Sequence, residues 1–323
     1  MKQTRREFVR NLFVASQAVV ASQFLPVGLL AETTIQMPPP GGLNFLVFGD
    51  WGRRGETDQV EVATQMAKAA RAINPQFIIS VGDNFYEDGV KSVDDPHWQQ
   101  SFEQVYSDPA LRLPWYCILG NHDYHGAGNC DAQIAYHTIN PRWNMPTRYY
   151  QQTHRIDAQT TADFFYLDTT PMVKGYYKEN HEKTRDHVMT QDVPKQLAWF
   201  KSALAASSAQ WKIVFAHHPI YSGGGHGDTE ELIENILPLL HEHKVQAYFN
   251  GHDHDLQHLL AGEVNLFDSG AGSQHTPTHY TIHSKFAKSC SGFTTVSLQA
   301  DKMDVNMIDN HGRRVYGTMV TRV

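Results

Sequence analysis

The chain has 323 residues, 41% of them hydrophobic and 19% charged, with a net charge of −7 and an isoelectric point near 6.2. That composition excludes a disordered or fibrous protein and gives length enough for one large domain or two smaller ones. The acidic balance argues against a nucleic-acid binder, which carries a basic stripe, whereas nineteen histidines invite a search for a metal site.

The N-terminal stretch reads "TRREFVRNLFVASQAVVASQFLPVGLLAETT". Arg5 and Arg6 precede a moderately apolar run from about Leu12 to Ala31, the arrangement of a twin-arginine export signal over residues 1–31 with cleavage after Ala31. A membrane anchor is the alternative, opposed by Gln17, Ser22, Gln23 and Pro26, which interrupt the run. The expectation is a periplasmic or secreted protein with the twin-arginine machinery as a partner. Because that route carries folded proteins, any metal site would be filled before export. Residues 32–42, ending in "MPPPGG", read as a linker, and residues 43–323 as a single domain.

Apolar runs then alternate with amphipathic stretches. The runs are "LNFLVFG" at 43–49, "FIISVG" at 77–82, "WYCILG" at 115–120, "KIVFA" at 212–216 and "VQAYFNG" at 245–251. Residues 58–74, 193–207 and 229–244 carry apolar side chains at helical spacing. Continuous apolar strands separated by helices predict an α/β layered fold. The polar segment "KGYYKENHEKTRDH" at 174–187 reads as a surface excursion. Cys117 reads as a buried thiol, and a Cys130 to Cys290 bridge stays open.

The residue immediately after each run is more informative than the run itself. The five positions are Asp50, Asp83, Asn121, His217 and His252, with His254 two residues beyond the last. Each alone has an ordinary explanation, as a turn or helix cap or a hydrogen-bonded histidine. Six oxygen and nitrogen donors on loops at one sheet edge are hard to explain that way, and they point to a pair of cations with Asp83 as the bridging carboxylate. Hard oxygens and imidazoles without thiolate suit iron, zinc or manganese.

The blocks "GDWG" at 49–52, "GDNFY" at 82–86, "GNHD" at 120–123, "AHHP" at 216–219 and "GHDH" at 251–254 resemble the five blocks of the metallophosphoesterases, specifically of the purple acid phosphatases. The likeness runs from about Leu43 to the C-terminus and is nearest to the single-domain, tartrate-resistant type, with "FEQVYSDPALRLPWY", "AQIAYHTINPRWNMP" and "SGAG" in support. It implies a layered α/β sandwich of two central mixed β-sheets flanked by helices. It also implies Fe(III) held by Asp50, Asp83, Tyr86 and His254, and a second divalent metal (Fe, Zn or Mn) held by Asp83, Asn121, His217 and His252. Many branches of the superfamily carry a histidine where this chain has Gly52, and Tyr86 replaces that donor with a hard phenolate. Two departures stand out: His218 occupies a position that is usually tyrosine, and the cysteines of the animal enzymes' disulfide find no match in the pattern of Cys117, Cys130 and Cys290.

The activity implied is that of an exported acid phosphatase, hydrolysing phosphate monoesters by attack of a metal-bound hydroxide on phosphorus. Small phosphorylated substrates, inorganic phosphate and phosphoproteins are the implied partners. His122 is the expected proton donor to the leaving group, with Asp123 either orienting its ring or serving a turn, and His226 matches a second active-site histidine by its spacing from His217. A phosphodiesterase with the same metal pair is one alternative. A non-hydrolytic iron or phosphate-binding redox protein is another, opposed by the two retained histidines. His275, His279 and His283 read as a solvated loop rather than an extra metal site, and His241 and His243 as surface residues at a helix end.

Overall fold

A computed structural model describes residues 42–126 and 130–322. The expected export signal and nearly all of the linker lie outside the described residues. In chain order the described elements begin β1 (Leu43–Phe48), α1 (Gln59–Ile73), β2 (Phe77–Ser80), β3 (Trp115–Cys117), α2 (Cys130–Tyr136), β4 (Trp143–Asn144), β5 (Tyr150–Arg155) and β6 (Thr161–Tyr166). They continue with α3 (Glu182–Val188), α4 (Val193–Ala206), β7 (Trp211–Phe215), α5 (Glu230–Asn235), α6 (Leu237–Glu242) and β8 (Ala247–Asn250). The C-terminal part is all strand: β9 (Leu256–Ala261), β10 (Val264–Ser269), β11 (Ser284–Lys288), β12 (Gly292–Leu298), β13 (Lys302–Asp309) and β14 (Arg314–Thr321).

The strands form two mixed sheets of seven, ordered β14-β13-β12-β1-β2-β3-β4 and β11-β9-β10-β8-β7-β6-β5. Within them β1 to β4 run parallel, as do β6, β7, β8 and β10, while the flanking pairs are antiparallel. Alternation along β1 and β7 shows how the layers stack. Phe45 and Val47 join Ile213 and Phe215 in a core between the sheets. Leu46 and Phe48 face the opposite way, towards α1, and Val214 faces α4, α5 and α6. Both sides of these strands are therefore covered, which is why their sequences are continuously apolar. The centre of the sandwich is largely aromatic, with Phe45, Phe77, Phe164, Phe215, Phe249 and Phe267 in successive ring contacts.

The helices follow their local signals. In α1, Val62, Ala63, Met66, Ala67, Ala70 and Ile73 are buried at helical spacing, and Asn74 ends the helix in a left-handed conformation with its N–H bonded to Ala70 O. Asp192 caps α4 by accepting from Lys195 N. The single helix expected over 229–244 is instead two, α5 and α6, because Pro238 has no N–H to continue the ladder and its ring crowds the preceding turn. The polar segment at 174–187 is less detached than its composition implies: Tyr176 and Thr184 are buried, and Val188 just beyond it is too. All three cysteines are free thiols, so the open Cys130 to Cys290 bridge is not formed, and the Cys130 thiol faces Asp123 O at 3.3 Å.

Candidate metal centre

Five parallel strands from the two sheets point their C-terminal ends at one place. The loop after β1 delivers Asp50, that after β2 delivers Asp83 and Tyr86, and that after β3 delivers Asn121, while β7 and β8 supply His217 and then His252 and His254. Bringing so many donors together demands unusual backbone. Asp50, Asp83 and His252 have φ values of 60°, 49° and 75°, a left-handed region that costs a non-glycine residue roughly 1 kcal/mol or more. Two of the glycines in the "GD", "GN" and "GH" pairs are there for clearance. A Cβ on Gly120 would lie 2.2 Å from Asp83 Oδ1, and one on Gly251 would lie 2.3 Å from Asp50 Oδ2.

The donors converge in two adjoining sets. In the first, the Tyr86 hydroxyl lies 2.9 Å from Asp50 Oδ1, 2.7 Å from Asp83 Oδ2 and 3.1 Å from His254 Nε2. In the second, His217 Nε2 lies 3.1 Å from Asn121 Oδ1 and 3.4 Å from Asp83 Oδ1, and the His252 ring centroid is 5.1 Å from that of His217. Asp83 thus contributes one carboxylate oxygen to each set. Ligands about 2.1 Å from a shared ion in octahedral array would be about 3.0 Å apart, so these spacings fit two ions bridged by Asp83. Asp50, Asp83 and Tyr86 are all buried. Burial and then the two carboxylates push the Tyr86 phenol well above its ordinary range, so the phenol keeps its proton and donates to them; a bound cation would favour the phenolate instead.

The ring nitrogens facing away from the centre are held as well. His217 Nδ1 meets Val81 O at 2.9 Å, and His254 Nδ1 meets the Gln274 carboxamide at 2.8 Å, which leaves each Nε2 free to ligate. His218 lies close enough to His217 and His252 to share an ion by distance. However, its ring nitrogens meet Thr169 Oγ1 at 2.9 Å and the Tyr176 hydroxyl at 3.0 Å, so it supports the centre from behind.

Residues 43–256 match the family model of the calcineurin-like phosphoesterases. Tartrate-resistant acid phosphatase type 5 of Sus scrofa is 34% identical over 323 residues, covering 94% of this chain and 94% of its own length. Purple acid phosphatase 7 of Arabidopsis thaliana is 41% identical, covering 72% of this chain and 71% of its own length. The chain belongs to the purple acid phosphatases. As a member it is an acid phosphatase, a metallophosphoesterase that hydrolyses phosphate esters. Among solved structures, GAP50, the anchor in the inner membrane complex of Plasmodium, superposes with a TM-score of 0.76 at 26% identity, covering 87% of this chain and 89% of its own. The yellow lupin purple acid phosphatase PPD1 shares the fold, with a TM-score of 0.63 at 15% identity over 88% of this chain and 55% of its own.

Two histidines of this purple acid phosphatase flank the donor sets. The His122 ring lies 4.3 Å from the Tyr86 ring, and its Nδ1 is 2.7 Å from Glu87 O. The His226 ring stacks on the His252 ring at 4.0 Å, and its Nδ1 is 2.9 Å from Asp253 Oδ1. Asp253, the third residue of "GHDH", is a residue of the site that sequence reasoning missed. It is buried, accepts from Ser222 Oγ at 2.5 Å, and by its hydrogen bond to His226 raises the pKa of that ring above the ordinary imidazole value. The signal that could have found it is a carboxylate set between two candidate ligand histidines, His252 and His254.

The expectation that Asp123 orients His122 is corrected. Its carboxylate turns inward, accepting from Gly120 N at 2.8 Å, Asn84 N at 3.1 Å and Gln133 Nε2 at 2.8 Å, and so ties the loops after β2 and β3 to α2. His275, His279 and His283 do not converge: His275 meets Ser291 Oγ at 3.3 Å, and His283 stacks on Tyr221. His241 is exposed near the end of α6, and His243 caps it.

Proposed function

We propose that this purple acid phosphatase is an exported hydrolase of phosphate monoesters working with Fe(III) at Asp50, Asp83, Tyr86 and His254 and a divalent ion (Fe, Zn or Mn) at Asp83, Asn121, His217 and His252. The observation that carries the reading is the buried convergence of two carboxylates, a phenol and an imidazole, with a second imidazole and carboxamide set sharing Asp83. When bound, the pair supplies Lewis acidity to the phosphoryl oxygens and an activated water for in-line attack.

The protein's own groups do the rest. With Nδ1 of His122 held by Glu87 O and Nδ1 of His226 held by Asp253, the Nε2 of each is the nitrogen left to exchange a proton. One ring lies beside Tyr86 and the other beside His252, so a phosphoryl group at the centre meets one on each flank. We assign His122 to protonating the leaving alcohol, and His226, oriented by Asp253, to hydrogen bonding the phosphoryl group. Small phosphorylated metabolites and phosphoproteins are the proposed substrates, and inorganic phosphate is the product. Residues 1–31 are assigned to twin-arginine export, and among the described residues no helix is long and apolar enough to cross a membrane.

The test is a visible spectrum with metal analysis. A broad tyrosinate-to-iron(III) band that is lost in Tyr86→Phe is expected, and a colourless, fully metallated protein would overturn the ferric assignment. Loss of turnover in His122→Ala with metals retained supports its role, and unchanged turnover removes it. Normal maturation with the twin-arginine route blocked would refute the export assignment.

A further inference from the structure

One cation beside the centre has no part in the chemistry of metal, water and histidines. The Arg53 guanidinium lies over the Tyr86 ring, its central carbon 3.7 Å from the ring centroid. The His122 imidazole also contacts this ring, at 4.3 Å, so the phenol ring has two close neighbours. Arg53 is itself held from two directions. Its Nε donates to Ser273 Oγ at 3.1 Å, and that hydroxyl donates to Asp50 O at 2.6 Å. Its NH1 donates to Glu87 Oε1 at 2.8 Å, and the Arg53 side chain is only 11% exposed. Such a fixed, poorly hydrated cation on an aromatic face is an arrangement in which electrostatic attraction to the ring is strong.

We infer that Arg53 is a positioning residue for Tyr86, one that holds the phenol ring against the centre and draws electron density from its oxygen. This rests on the ferric reading of the centre. A positive charge on the ring face lies nearer to the phenolate than to an ion beyond its oxygen, so it stabilises the donor electrons more than the acceptor orbital. Phenolate donation is thereby weakened, and the charge-transfer band, in which one electron moves from phenolate to Fe(III), lies at shorter wavelength than it would without Arg53. The Asp50 and Asp83 carboxylates, 2.9 and 2.7 Å from the phenol oxygen, act on Tyr86 in the opposite direction to Arg53. Loss of the arginine therefore leaves that negative environment unopposed.

The experiment compares visible spectra of the iron-loaded full-length protein with Arg53→Gln, Arg53→Lys and Glu87→Gln, each checked for a wild-type far-ultraviolet spectrum and iron content. Arg53→Gln is expected to move the band to longer wavelength by something on the order of 10 nm. Arg53→Lys, which keeps the charge but loses the delocalised, forked head group, is expected to move it less in the same direction. Glu87→Gln removes the carboxylate that partly neutralises Arg53 and is expected to give a smaller shift to shorter wavelength, because Glu87 is 72% exposed and screened. A purely structural role for Arg53 would reduce iron content and band intensity at unchanged position, and that result overturns the inference. A coloured wild type whose band stays in place in both Arg53→Gln and Glu87→Gln overturns it alone. A colourless iron-loaded wild type overturns the ferric reading and this inference together.

Discussion

His154 should set an acid limit on the stability of the sandwich. It lies on β5, where its ring stacks on Phe77 at 4.8 Å and 28° and lies against Phe164 at 4.7 Å. Its Nε2 is buried without a hydrogen-bond partner. Burial lowers its pKa from 6.5 to about 4, only partly opposed by Asp163, so the fold favours the neutral ring. An unfolded chain titrates at 6.5, and between these values it binds a proton that the native state does not. The neutral preference is therefore fully present above pH 6.5 and is lost as the pH falls towards 4. At 1.36 kcal/mol per unit, the difference amounts to about 3 kcal/mol. His154→Phe keeps an aromatic ring against Phe77 and removes the titration. Urea unfolding of both proteins at pH 7 and pH 4 should show wild type losing about 3 kcal/mol relative to the variant. Metal release affects both proteins alike and cancels in the comparison. A wild-type-minus-variant difference that is the same at both pH values would refute the reasoning.

Other substitutions test the centre directly. Gly120→Ala places a methyl 2.2 Å from Asp83 Oδ1 and should lower metal affinity by roughly 10-fold or more, measured as metal retained after dialysis; full retention would refute the clearance argument. Asp253→Asn removes the carboxylate that holds His226 and should lower kcat by roughly 100-fold at unchanged metal content; unaltered kcat would show that the pair plays no part in turnover. Asp123→Ala strands the N–H groups of Gly120, Asn84 and Gln133 and should cost about 3 kcal/mol or more in urea unfolding, whereas a loss under 1 kcal/mol would mean that water replaces the carboxylate.

The parallel strands were legible because burial on both faces leaves unbroken apolar runs, as in "FIIS" of β2 and "AYFN" of β8. The donors were legible for a related reason: parallel strands end on the same edge, so polar residues after successive runs must meet. The antiparallel edges were not. β5, "YQQTHR", and β14, "RVYGTMVT", are edge strands with one covered face and alternate weakly, so neither stands out from a loop. Side-chain direction was equally hidden. Nothing in "GNHD" shows that Asp123 turns towards Gln133 on α2 while His122 turns towards Glu87 O, because both partners are distant in sequence. Tyr176 likewise sits in a polar stretch, and only the fold brings it to His218.

The likeness to GAP50, described as an anchor, shows that the sandwich alone does not decide function. In this chain an energetic cost is concentrated at the donors. Asp50, Asp83 and His252 are held at left-handed φ, and the Asp50 and Asp83 carboxylates are buried. Such strain persists where ligand binding offsets it, so metal and fold should be linked. At a free metal concentration 1,000 times the dissociation constant, the linkage contributes about 4 kcal/mol, or something on the order of 10 °C in Tm for a chain of this size. Differential scanning calorimetry before and after chelation, and again after metal is restored, measures it. A chelated protein that melts with the metallated one would mean that the donors are held by the fold alone, and the strain at Asp50, Asp83 and His252 would then need another cause.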